Sequence, residues 1–239
     1  DFRRRDIAAG GEGAPLAPAF HAAAFAKAGV NRAIVNIGGI ANATFLAATE
    51  LRKGFDTGPG NTLLDHWIAH HQGLSYDRNG QWAAAGRVNQ LLLQNLLSHP
   101  YFAKAGPRST GKEAFNLTWL ENHLAAFDSI DPADVQATLA ELTSCTIANA
   151  IRNSSLNISE IYICGGGSHN SHVMQRLATL LAPATVASTA TLGMDPDWVE
   201  AATFAWLANR TLDGLAGNSP VVTGAAGARV LGGIYTGKS

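Results

Sequence analysis

Residues 32–47 read "RAIVNIGGIANATFLA". Ala33-Ile34-Val35 is a buried-strand run, Gly38-Gly39 supplies a tight turn, and Ala43 to Leu46 continues extended, so the stretch predicts two antiparallel strands. Downstream, "NTLLDHWIAHHQG" (61–73) has Leu64, Trp67 and Ile68 at helical spacing and Gly73 as a stop. Amphipathic helices are predicted over 86–98 and 116–127, joined by the turn-rich "HPYFAKAGPRSTGKEAF". "DPADVQATLAELTSCTIANAIRN" (131–153) predicts a long helix, with Asp131 as cap, Pro132 in the first turn and Asp134 favouring the dipole. "EIYICGGGSHN" (160–170) reads as a buried strand running into a glycine loop and then a helix over Ser171–Leu181. "DPDWVEAATFAWLANR" (195–210) predicts a largely buried helix, and "ARVLGGIY" (228–235) a short final strand. Strands alternating with helices after an opening hairpin predict an α/β domain with a mixed sheet and helices on its faces.

Bulk properties exclude several classes. The 239 residues are 46% hydrophobic and 15% charged, with a net charge of −1. Such a chain has ample core and no broad field for nucleic acid or an anionic membrane. Apolar runs fall well short of the roughly 20 residues a membrane span needs. Arg3, Arg4 and Arg5 read as a solvated or locally paired group. Cys145 and Cys164 lack metal-ligand spacing, so reduced thiols in a cytosolic protein are expected. The chain opens on "DFRRRDIAAGGEG" without Met, which reads as a piece whose N-terminal part is missing.

Several loops are candidates for chemistry. Gly38 and Gly39 in "NIGGIAN" (36–42) either nest an anion or meet a hairpin's need for positive φ. "ICGGGSHN" (163–170) ends a strand and opens a helix, where nucleotide phosphates favour binding. It is not the dinucleotide fingerprint. "GPRSTGKE" (106–113) approaches a P-loop through Gly106, Gly111 and Lys112, but Glu113 replaces the hydroxyl and no buried strand precedes it, which points to a surface or substrate-side loop. In "GFDTGPGN" (54–61), Asp56 follows a short strand over 51–55. With Asn61 at the helix cap, Asp56 is either an Asx-turn residue or a general base aimed into a cleft. Glu200 is either solvated or paired in a site. His66, His70 and His71 lack a third ligand and read as surface groups.

Taken in order, the glycine hairpin, "GFDTGPGN", "STGKEAFN", "ICGGGSHN" and "DPDWVEAATFAWLA", preceded by "RRDIAAGGEGAPLAPAFH" (4–21), resemble the anhydro-N-acetylmuramic acid kinase family over essentially the whole chain. The resemblance implies a ribonuclease H-like/actin-like ATPase domain, with residues 1–31 as the tail of a first domain and 32–239 as the second. It implies a cytoplasmic, homodimeric enzyme of peptidoglycan recycling that uses ATP and Mg2+. Its reaction opens 1,6-anhydro-N-acetylmuramic acid with water and phosphorylates O6.

Carried over residue by residue, Asp56 is the catalytic base and Glu200 a sugar-binding carboxylate. Asn36, Gly38, Gly39 and Asn42 lie on the second phosphate-binding hairpin, and Gly165, Gly166 and Gly167 on the loop near adenosine. The metal ligands are unassigned. Two departures stand out: nothing matches the family's "GTSxDGxD" loop, so the chain alone is expected to be inactive, and Glu12 stands where Gln is usual. The alternatives are a kinase of another sugar or small acid in the superfamily, or a non-catalytic ATP-binding domain.

Overall fold

The computed structural model describes residues 1–104 and 108–235. In chain order the elements are α1 (Arg4–Ala8), α2 (Ala17–Phe25), β1 (Asn31–Ile37), β2 (Ile40–Ala47), β3 (Glu50–Pro59), α3 (Thr62–Gln72), α4 (Gln81–Ala85) and α5 (Gln90–Leu97). They continue with α6 (Pro100–Ala103), α7 (Leu117–Leu124), α8 (Pro132–Arg152), β4 (Glu160–Cys164), α9 (Ser171–Leu181), β5 (Thr185–Ser188), α10 (Val199–Leu212) and α11 (Pro220–Thr223). The strands form one sheet in the order β3-β2-β1-β4-β5. β1, β2 and β3 are antiparallel, whereas β4 and β5 run parallel to β1. This mixed sheet flanked by helices is the α/β, ribonuclease H-like/actin-like arrangement.

Period-two alternation puts a separate core on each face of the sheet. Ala33, Val35, Ile37, Phe45, Ile161 and Ile163 pack against Leu139, Leu142 and Ile147 of α8 and against Leu64 of α3. Ile34, Leu46, Tyr162 and Cys164 face Phe20 and Phe25 of α2 and Val199 of α10. Burial on both faces explains the continuous apolar run in β1. The long helix α8 starts as expected, with the Asp131 carboxylate accepting from Ala133 N–H at 2.8 Å.

Several boundaries differ from the sequence expectation. β3 runs through Asp56 to Pro59 rather than stopping at Phe55, because its ladder with β2 continues through the pairs Asn42–Asp56, Ala41–Gly58 and Ile40–Pro59. α5 and α7 are shorter than predicted. The α5 start is set by Asn89, whose side chain accepts from Leu92 N–H at 3.0 Å. α10 begins at Val199, not Asp195, because the Pro196 carbonyl accepts from Gly165 N–H at 3.0 Å. It is also not largely buried: Trp198 is 67% and Phe204 50% exposed. Residues 228–235 form no strand, since Arg229 bonds to Gly217 and Asn218 instead of a sheet edge. The edge strand β5 was not predicted; its four residues are too few to show a period. Among the described residues, no helix is long and apolar enough to cross a membrane.

The β1–β2 hairpin also anchors α3. Gly60 and Thr62 N–H groups donate to Gly39 O, at 2.9 and 3.1 Å, and Asn61 N–H donates to Gly38 O at 2.8 Å. The first donors of a helix need partners from outside it, and here the hairpin tip supplies them for Asn61 and Thr62. Asn61 is therefore not a side-chain cap, contrary to expectation; its amide donates to Ile37 O at 3.2 Å.

Candidate active site

Strand register draws four polar residues into one row. Cys164 pairs with Asn36, Asn36 with Asn42, and Asn42 with Asp56, across β4, β1, β2 and β3. The register shifts just after Asp56, where Thr57 is the extra residue of a bulge and its hydroxyl donates to Ala41 O at 3.1 Å. Bulges of this kind re-aim side chains near sites. Asn36, Asn42 and Cys164 line a cavity of about 620 Å3, together with His21 of α2 and Glu200 and Thr203 of α10. Asp56 continues the row on the edge strand and is not among the residues that line the cavity.

The environment sets the charge of each wall. Burial holds His21 down to about 4, so the ring is neutral at pH 7, and its Nδ1 lies 2.9 Å from Thr44 Oγ1. Burial and the nearby Glu200 carboxylate push the Cys164 thiol up to about 12, which keeps it protonated. The Cys164 sulfur is therefore not a nucleophilic thiolate at neutral pH.

The Asp56 carboxylate is held by the segment that carries Ser109 and Thr110. Its Oδ2 accepts from Ser109 Oγ at 3.1 Å and Thr110 N–H at 3.0 Å. Its carbonyl accepts from Tyr101 Oη at 2.6 Å and Arg108 Nε at 3.2 Å. Burial raises its pKa above the usual carboxylate value, and the Thr110 and Ser109 hydrogen bonds oppose part of that rise. Arg108 fastens the segment. Its Nη1 donates to the carbonyls of Tyr101, Phe102 and Lys104, and its guanidinium lies 5.4 Å from the Phe55 ring. The sequence reading missed Arg108; its place just before Ser109 was the available signal. Gly106 of the rejected P-loop reading lies outside the described residues.

The glycine motifs divide by role. Gly38 and Gly39 do not have positive φ, so that explanation of the pair fails. A Cβ on Gly39 would lie 2.3 Å from Lys112 Cε, so what Gly39 accommodates is the lysine stem. Gly165 has φ of 76°, and a Cβ there would lie 2.3 Å from Asn36 Oδ1; one on Gly167 would lie 2.3 Å from Ile37 Cγ2. These two serve close packing of loop on hairpin. Gly166 alone of the three would take a Cβ without a clash, its nearest neighbour being Asn61 Nδ2 at 3.7 Å, and it faces a second cavity of about 540 Å3 with Asn61, Asp65, Tyr76, His169 and Asn170. His169 pairs with Asp197 at 2.9 Å and so ties this loop to the segment leading into Glu200. His66, His70 and His71 are exposed, and no cluster of three or more His, Cys, Asp or Glu occurs among the described residues.

Burial pushes Asp65 up to about 6, with His66 and Lys112 opposing. A raised carboxylate pKa means the folded state holds its proton longer, so stability falls as pH rises from near 4 through 6. Asp65→Asn is therefore expected to stabilise the protein at pH 7.5 by roughly 1 kcal/mol after discounting for solvent screening. The gain vanishes below about pH 4, where both forms are neutral. Denaturant melts at the two pH values check this, and equal gains at both would contradict it.

A family model described as anhydro-N-acetylmuramic acid kinase matches residues 1–237. The protein of that name from Pseudomonas fluorescens (strain Pf0-1) is 55% identical over 235 residues, which are 98% of this chain and 65% of that protein. The one from Thiobacillus denitrificans (strain ATCC 25259 / T1) is 53% identical over 236 residues, covering 98% of this chain and 63% of that protein. This chain thus spans about 65% of the length of the first of these curated relatives. Among solved structures, the activator of the 2-hydroxyisocaproyl-CoA dehydratase from Clostridium difficile with bound ADPNP aligns with a TM-score of 0.45. That alignment has 11% identity and covers 77% of this chain and 60% of the activator.

Proposed function

The chain belongs to the anhydro-N-acetylmuramic acid kinase family, and we propose that it forms part of an enzyme that opens 1,6-anhydro-N-acetylmuramic acid hydrolytically while phosphorylating O6. The observation that carries this reading is the held carboxylate of Asp56, whose proton affinity is raised by burial and whose Oδ2 is fixed by Ser109 and Thr110.

Asp56 takes a proton from water as the water oxygen bonds to the anomeric carbon. The bond from that carbon to the bridging O6 breaks, and O6 attacks the γ-phosphorus of ATP, releasing ADP. Glu200, in the wall of the larger cavity, accepts hydrogen bonds from the sugar. The phosphates lie over the hairpin of Asn36, Gly38, Gly39 and Asn42, and the adenosine lies near Gly165, Gly166 and Gly167. Phosphoryl transfer chiefly needs positioning and charge neutralisation, and a glycine-lined cleft serves both. Magnesium, which takes one or two protein carboxylates in sites of this kind, would supply further neutralisation. Asp65 in the smaller cavity is a carboxylate suited to that demand.

Residues 1–31 would be the tail of a first domain and 32–239 the second. The family's "GTSxDGxD" phosphate loop would come from the part of its members this chain does not cover, so these 239 residues alone would be inactive. A cytoplasmic homodimer completes the proposal, with no nucleic acid or membrane partner. The test is coupled ADP release by a full-length family protein carrying these residues, with and without the anhydro sugar. Sugar-dependent release supports the reading. Release that ignores this sugar but follows another points to a different kinase, and ATP binding without release points to a non-catalytic domain.

Ser109 offers a finer check. Its hydroxyl stabilises the ionised Asp56, so Ser109→Ala is expected to raise the pKa of the base further and move the acid limb of the pH–rate profile to higher pH. An unmoved limb would detach Ser109 from the base.

A further inference from the structure

Lys112 has no part in the assignments above, yet its placement is specific. Its stem crosses the hairpin tip, with Cε 2.3 Å and Nζ 3.1 Å from where a Gly39 Cβ would stand. A side chain at residue 39 would displace it. On its other side, Lys112 acts electrostatically on Asp65, which lines the cavity beside Gly166. Among the described residues it forms no ion pair within 4.0 Å. The ammonium therefore stands between the glycine hairpin and the glycine-loop cavity, close enough to act on Asp65 but, among the described residues, outside ion-pair distance of any carboxylate.

The segment carrying Lys112 is also the one that holds the base. Arg108 O, Ser109 Oγ and Thr110 N–H all bond to Asp56, and Lys112 follows two residues later. One strap thus joins the proton acceptor to a cation at the phosphate hairpin.

Resting on the kinase reading, we infer that Lys112 is a further catalytic residue that contacts the γ-phosphate of ATP. It neutralises charge as the bond from the γ-phosphorus to its bridging oxygen breaks and the bond to O6 forms. It takes no part in the proton transfer. A lysine binds phosphate as a point charge, and this needs neither the fold nor the strand of a P-loop.

The test uses a full-length family protein carrying these residues, with Lys112→Ala and Lys112→Arg. Calorimetric titration with Mg·ATP and Mg·ADP, without sugar, is expected to show ATP affinity falling about tenfold in Lys112→Ala while ADP affinity holds within about twofold. Sugar-dependent ADP release is expected to fall about a hundredfold and to recover in part in Lys112→Arg. Equal losses for ATP and ADP, or no loss for either, would overturn the inference. If the unsubstituted protein shows no sugar-dependent release, the kinase reading fails while the ATP-against-ADP comparison still decides the role of Lys112 at the nucleotide.

Discussion

Asp56→Asn is expected to lower sugar-dependent turnover by about a thousandfold, within the range a lost general base produces. ATP affinity is expected to remain within about twofold, since the change is isosteric and removes no phosphate contact. The amide oxygen can still accept from Ser109 and Thr110, so the strap stays docked. What the amide cannot do is take a proton from water. Coupled ADP release and ATP titration on the same preparation measure both quantities. Turnover equal to that of the unsubstituted protein would remove Asp56 from the mechanism. Weakened ATP binding with the same loss would instead show a damaged site.

Gly60→Ala is expected to cost about 3 kcal/mol, because the obstacle is backbone on another element rather than a mobile side chain. The added Cβ would stand 2.3 Å from Gly38 O and 3.2 Å from Ala41 N. Relief requires moving the hairpin off the N-terminus of α3, which breaks the bonds from Gly60, Asn61 and Thr62 to the hairpin tip. For a chain of this size the loss corresponds to a melting temperature lower by about 10 °C. Gly73→Ala is the contrast: its φ is 68° but nothing lies within 4 Å of the added atom. It should cost only about 1 kcal/mol, for the left-handed backbone alone. Thermal melts of the two variants decide it, and equal losses would mean that close approach at Gly60 is not what holds hairpin and helix together.

Much of the fold was legible because single elements announce themselves locally. Gly38-Gly39 between apolar runs marks a hairpin, and Asp131-Pro132 before a periodic stretch marks the start of α8. The candidate site was legible only in part, because it depends on register. Nothing local says that Cys164, Asn36, Asn42 and Asp56 share one row; that follows from pairing strands more than a hundred residues apart. Gly39 makes room for the Lys112 stem, and Gly165 for the Asn36 side chain. Those are tertiary causes with no short-range signature. Asn61 suits a cap by residue type, but its side-chain amide is turned to Ile37 O and accepts from no helix donor. Arg108 was invisible for a similar reason: its partners are backbone carbonyls and two aromatic rings that only the folded loop brings together.

The most direct test of the proposed reaction follows the bridging oxygen. A full-length family protein carrying these residues is given ATP, Mg2+ and 1,6-anhydro-N-acetylmuramic acid labelled with 18O at the bridge, and the sugar phosphate is read by 31P NMR. The account predicts that the label stays on O6 and bonds to phosphorus, giving the isotope shift of a P–18O ester, while solvent oxygen arrives at the anomeric carbon. A sugar phosphate without that shift, or ADP formed with inorganic phosphate as its only partner, would contradict it.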